Sequence, residues 1–180
     1  MLEKIICAGF GGQGVLLMGQ LLAQAGLLEG RNVTWLPSYG PEMRGGTANC
    51  SVIISDQKVA SPIVNRSTAL LAMNRPSFDK FEKSIAPAGR LLVNSSIIDS
   101  RSCRDDIEAY YIPCSDIALE LGEPKVANIV MLGAFVAISG CVTGESLIDA
   151  LGRKLGEHKS HLIPVNQEAM RRGAAAAYGK

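Results

Sequence analysis

Ile5-Ile-Cys-Ala-Gly-Phe-Gly-Gly-Gln-Gly14, followed at once by the apolar run 15–28, is the stretch that decides the fold. Residues 5–8 are continuously apolar and β-branched at the start, which predicts a strand buried on both faces. The glycine knot that follows predicts a tight turn. Residues 13–28 then predict a helix, with Leu17, Leu21, Ala25 and Leu28 on one stripe, Met18 and Leu22 widening it, and Gly30 stopping it. With a second strand over 32–36 this gives β-turn-α-β, the unit that builds parallel sheet by a right-handed crossover.

A buried strand that ends in glycines and opens a helix brings free backbone N–H groups and the positive end of a helix dipole to one point. Gly9, Gly11 and Gly14 match G-x-G-x-x-G, in which glycines permit the turn and the close approach of a phosphate. A dinucleotide site of the NAD type also wants an acid about 20 residues further on to hold the ribose. Here the second strand runs into Pro37, Ser38 and Tyr39, and the nearby acid, Glu29, sits at the helix end. A P-loop fails too, since no Gly-Lys-Ser/Thr follows. Three readings remain: a structural tight turn, a loop that forms a site through its backbone, and, less favoured by these absences, a nucleotide site.

The segment Pro37-Ser-Tyr-Gly-Pro-Glu-Met-Arg-Gly-Gly46 is an unusual connector. Prolines and glycines fix its backbone, yet it carries Tyr39, Glu42, Met43 and Arg44, and loops of this kind often carry function. It reads either as a turn with solvated charges, or with Arg44 as an anion or partner contact and Tyr39 as a lid or interface residue.

The chain has 180 residues and 47% hydrophobic content, enough for one sizeable core, so residues 1–180 are expected to form a single domain. Its net charge of +1, with no basic run interleaved with aromatics, gives nucleic acid no footprint. The start Met-Leu-Glu-Lys enters a strand with no leader pattern, and the longest apolar segment, 126–139, is too short to span a bilayer and contains Asn128. The expectation is a cytoplasmic protein with no membrane association. Cys7, Cys50, Cys103, Cys114 and Cys141 are scattered without a C-x-x-C, and His158 and His161 lack further ligands, so no metal site is expected. No G-x-S-x-G elbow is present, and no catalytic residue is assigned.

Further along, alternation predicts a strand over 47–54 with one more polar face, and a short hairpin partner over 59–63. Strands over 69–73, 91–94 and 110–112 follow, with a helix over 77–85, a turn at Pro87–Arg90 and a polar loop over 95–107. Helices over 115–121, 126–139, 145–155 (capped by Thr143) and 166–178 close the chain. The fold class is α/β, Rossmann-like: a mostly parallel twisted sheet with helices on both faces and a helical C-terminal third. Asn128, inside an apolar helix, would cost about 1–3 kcal/mol if buried without a partner, and is expected to bond a neighbouring loop or a group across an interface.

Gly9-Phe-Gly-Gly-Gln-Gly14, then Ser38-Tyr-Gly-Pro-Glu-Met-Arg-Gly-Gly46 running into a strand, then Asn128 through Leu132-Gly-Ala134, resemble the gamma subunit of 2-oxoacid:ferredoxin oxidoreductases. The resemblance spans nearly the whole chain, including a final helix with Asn166, Ala169 and Gly173. The beta subunit of indolepyruvate oxidoreductase is the nearest competitor, and a stand-alone nucleotide-binding module is the alternative from another class. The gamma resemblance implies a multisubunit enzyme that decarboxylates a 2-oxoacid, 2-oxoglutarate or a branched-chain one ahead of pyruvate, makes an acyl-CoA and reduces ferredoxin. It implies thiamine diphosphate and iron–sulfur clusters on partner alpha, beta and ferredoxin-like subunits, and no cofactor in this chain, which would be inactive alone. Gly9, Gly11, Gly12, Gln13, Gly14, Tyr39, Arg44, Gly45 and Gly46 are then the loop residues expected to face CoA or a partner subunit. Expressed alone, the chain is expected to self-associate through the apolar 126–139 helix and the alanine-rich last helix.

Overall fold

The computed structural model describes residues 1–38 and 47–179. Its strands are β1 (Leu2–Phe10), β2 (Asn32–Ser38), β3 (Thr47–Ser55), β4 (Ser67–Ala72), β5 (Ile85–Asn94) and β6 (Glu108–Ile112). Its helices are α1 (Val15–Leu28), α2 (Arg75–Phe81), α3 (Cys114–Glu120), α4 (Ala127–Ser139), α5 (Gly144–Leu155) and α6 (Ile163–Tyr178). The strands form one sheet in the order β2-β3-β1-β4-β5-β6. Pairings β1–β4, β4–β5 and β5–β6 are parallel, whereas β3 runs antiparallel to both β1 and β2.

Alternation along the strands divides the core. Ile5 and Cys7 of β1, Cys50, Val52 and Ile54 of β3, and Ala69 and Leu71 of β4 face α1 and the C-terminal helices. Ile6 and Ala8, Leu70 and Ala72, and Leu91 and Val93 face the other way, under Phe78 of α2 and Ile98 and Ile107 of the 95–107 loop. Helices thus lie on both faces, and everything after β6 is helical, as expected from the sequence.

Three local expectations are corrected. β2 is not the neighbour of β1: the crossover through α1 skips one position, and β3 returns to fill it antiparallel. Residues 59–63 form no strand. The reason is that β3 already pairs on both edges, with β1 and with β2, so no ladder is open to a third partner. Pro87–Arg90 is an irregularity inside β5 rather than a turn ahead of it. Ser67 pairs with Ile85 and Ala69 with Arg90, so five steps on β5 oppose two on β4. Ala88 takes φ 58 at this bulge, and its N–H bonds the Asp106 carbonyl at 2.7 Å.

α4 is buried from Asn128 to Val136, as an all-apolar helix must be. It packs on α6 through glycines: a Cβ at Gly133 would fall on the Met170 carbonyl, and one at Gly173 on the Val130 carbonyl. On α6 the buried stripe is Asn166, Ala169, Gly173 and Ala177, with Asn166 Nδ2 donating to the Leu162 carbonyl at 2.7 Å. α4 therefore has no apolar face left to offer for self-association, which corrects that expectation.

Candidate functional site

From β1 the chain first builds one side of the sheet, β2 and β3, and then crosses to the other side with β4. The carboxyl ends of β1 and β4 are thus a topological switch point, the place where open α/β sheets form a crevice. The glycine knot lies there. β2 ends and β3 begins at the same end of the sheet, since Ser38 pairs with Asn49 and Phe10 with Thr47. Tyr39, Arg44, Gly45 and Gly46 fall between those two strands and lie outside the described residues.

Gly9 is buried where no side chain fits: a Cβ there would meet Gln13 Oε1 at 2.7 Å, Val15 Cγ1 at 2.8 Å and Met73 Cβ at 2.9 Å. Gln13 closes the crevice as a strut. Its Oε1 accepts the Phe10 N–H at 2.7 Å and its Nε2 donates to the Met73 carbonyl at 3.0 Å, joining the end of β1 to the end of β4. Both ends of its amide are committed to the backbone. Gln13 accordingly shapes the site rather than reaching for a ligand.

Left-handed backbone is required at Gly12 (φ 93) and Gly14 (φ 73). Gly11 and Gly12 are exposed at the tip of the turn, and a Cβ on Gly12 would meet nothing within 4 Å. Gly14 differs: it is the N-cap of α1, and a Cβ on it would fall on the Asn128 side-chain amide. Asn128 Nδ2 donates to the Gly14 carbonyl at 3.4 Å, so the polar residue of the apolar helix bonds a neighbouring loop, one of its two expected partners.

α1 begins with no side-chain cap and with no acid in its first turn; Met18 N–H to the Gly14 carbonyl, 3.0 Å, closes that turn. The amides ahead of it are presented at the switch point with the positive end of the dipole, suited to a phosphate or a carboxylate. Sequence reasoning passed over Asn74. This fully buried residue lies between β4 and α2, and its Oδ1 accepts the Ser77 N–H at 2.9 Å to cap α2. An Asn two residues before Pro76 and three before Ser77 was the available signal.

Glu29, the acid a dinucleotide site would need, is engaged instead with the N-cap of α5, its Oε1 accepting the Thr143 N–H at 2.6 Å. Burial raises its pKa, but the Thr143 N–H and the Ser146 and Thr143 hydroxyls outweigh it and hold the carboxyl below its usual range. Among the described residues no group of three or more His, Cys, Asp or Glu could hold a metal ion, and no helix is long and apolar enough to cross a membrane.

Comparison with known proteins shows the family of the chain. The ketoisovalerate oxidoreductase subunit VorA of Methanothermobacter marburgensis is 41% identical over 95% of this chain, which spans about a third (36%) of that relative's length. The 2-oxoglutarate synthase subunit KorC of Methanocaldococcus jannaschii is 36% identical over 84% of this chain and 82% of its own. Among solved structures, the keto/oxoacid ferredoxin oxidoreductase gamma subunit from Geobacter sulfurreducens superposes with a TM-score of 0.85 and 30% identity over 99% of both chains. The sequence profile described as pyruvate ferredoxin/flavodoxin oxidoreductase matches residues 4–176, and the chain belongs to that family.

Proposed function

We propose that this chain is the gamma subunit of a cytoplasmic, multisubunit 2-oxoacid:ferredoxin oxidoreductase. The observation that carries the reading is the likeness to gamma-type subunits: the Geobacter gamma subunit shares the fold over 99% of this chain, and the KorC subunit is 36% identical over 84% of it. Greater identity to VorA and KorC relatives (41% and 36%) than to a PorC relative (27%) supports a branched-chain 2-oxoacid or 2-oxoglutarate ahead of pyruvate.

In this reading thiamine diphosphate and the iron–sulfur clusters belong to the alpha, beta and ferredoxin-like subunits. The cysteines here do not fit a cluster: Cys114 and Cys141 are separately buried, Cys103 is exposed, and Cys7 and Cys50 face one another within the core. The role of the chain is to complete the assembly and to present the α1 corner to an anion. That anion is a phosphate of CoA or a carboxylate of a partner subunit, and Gly11, Gly12 and the first α1 amides, with Tyr39, Arg44, Gly45 and Gly46, are the groups proposed to meet it.

Co-expression with the alpha, beta and ferredoxin-like subunits of its source organism tests the reading. The expected result is a complex that contains this chain and oxidises a 2-oxoacid with CoA and ferredoxin, and that loses activity when the chain is left out. The chain alone is expected to be colourless. Turnover by the chain alone, or a fully active complex that never contains it, would overturn the proposal.

A further inference from the structure

Beneath the first two turns of α1 lies a pair of thiols that the proposed function does not use. Cys7 of β1 and Cys50 of β3 are directly opposed in the antiparallel ladder, and both side chains are fully buried on the α1 side of the sheet. Opposed residues in such a ladder have Cα atoms about 4.5 or 5.5 Å apart. A disulfide needs about 4.4–6.8 Å, so the register satisfies it in either case without moving the backbone.

The surroundings are polar around one sulfur. Cys50 Sγ donates to the Val15 carbonyl at 3.4 Å, in the first turn of α1. A Cβ on Gly19 would fall on that sulfur and would stand 2.9 Å from the Trp35 indole nitrogen, so helix, indole and thiol converge there. Trp35 Nε1 is buried and has no oxygen or nitrogen to bond. The proton shared between the sulfurs pushes Cys7 up; the same sharing pulls Cys50 down, opposed by its burial and aided by the indole N–H. Cys50, which bonds the first turn of α1, is thus the sulfur that opening of that turn would expose.

We propose that Cys7 and Cys50 are a modification site, closing to a reversible cross-strand disulfide when the protein meets a hydroperoxide. Cys50 Sγ attacks one peroxide oxygen and gives up its own proton; an S–O bond forms, the O–O bond breaks, Cys50 becomes a sulfenic acid, and the other oxygen leaves with that proton as water or alcohol. The Cys7 thiol then attacks that sulfur: the S–S bond forms, the S–O bond breaks, and a water departs with the Cys7 proton. The sulfurs lose two electrons and the peroxide gains them. Access comes through the start of α1, which covers Cys50 and has no side-chain cap to resist local opening. Closure draws Cys50 Sγ off the Val15 carbonyl, directly behind the glycine knot.

Peptide mapping of the 180-residue chain tests this. The folded protein is treated with hydrogen peroxide, denatured in N-ethylmaleimide and digested without reductant. The expected result is a Cys7–Cys50 linked peptide, two hydrogens lighter than its parts, that dithiothreitol reopens. Cys7→Ala should abolish the link and leave Cys50 oxidised only as far as sulfenic or higher acids. Amides of residues 15–19 should exchange faster in the linked form. Recovery of Cys7 and Cys50 as maleimide adducts after oxidation of Cys103, or linkage of either to another cysteine, would overturn the proposal, and the wild-type map decides even if the variant fails to fold.

Discussion

Two helices leave neighbouring parallel strands at the same end of the sheet, α1 from β1 and α2 from β4, and they begin in opposite ways. Every helix starts with amides that lack partners within it. At α2 the need is met internally: Asn74, fully buried, caps the Ser77 N–H, and Pro76 in the first turn removes a donor outright. At α1 the cap is Gly14, which has no side chain to give, and the corner is held instead from outside, by the Gln13 strut and by Asn128 from α4. The lesson is that side-chain capping closes a helix start and glycine capping leaves it open. Only the open one suits an external anion.

The largest expected effect comes from filling the open corner. Gly14→Ala must place an L residue at φ 73 and push its Cβ onto Asn128, so it should cost about 2–4 kcal/mol in urea unfolding, while Gly12→Ala, at φ 93 in open space, should cost only about 1 kcal/mol. Equal costs would mean that Asn128 does not bear on the cap. Asn74→Ala removes the closed corner's cap and should cost about 1–2 kcal/mol, with Asn74→Asp recovering much of it.

Gln13→Met keeps the length of the strut and loses both hydrogen bonds, for about 1–2 kcal/mol. A cost near zero would show that the β1 and β4 ends hold together without it. The smallest effect belongs to the far end of α1. Glu29 has a folded pKa below its usual 4.5, so its contribution is present above that value and is lost as pH falls through the folded one. Glu29→Gln should therefore cost about 0.5–1 kcal/mol at neutral pH, discounted for partial exposure, and converge with wild type in acid titration. A gap that persists undiminished as pH falls through the carboxylate range would assign the effect to packing instead.

What the sequence revealed follows the same division. The strand, knot and helix of residues 5–28 were legible because buried apolar runs and glycines act locally, and Asn128 stood out because an amide inside an apolar helix demands a partner. The place of β3 was not legible. Its alternation shows two unlike faces but says nothing about which edges it pairs, and that choice both separated β2 from β1 and removed the hairpin at 59–63. The Pro87–Arg90 bulge reads as a turn in the sequence for a related reason: Pro and Gly signal a break in the ladder without saying whether the strand resumes on the same line. Gln13 looked like a ligand contact because its partners, the backbone of Phe10 and Met73, lie 3 and 60 residues away.

Hydrogen–deuterium exchange on the assembled complex, with and without CoA, compares the two helix starts most directly. The prediction is that amides of residues 11–17 gain protection on assembly or on CoA addition, while those of residues 75–79, already capped by Asn74, do not change. Exchange at residues 11–17 that is the same in the free chain, in the complex and in the CoA-loaded complex would contradict the claim that the glycine-capped corner meets an anion.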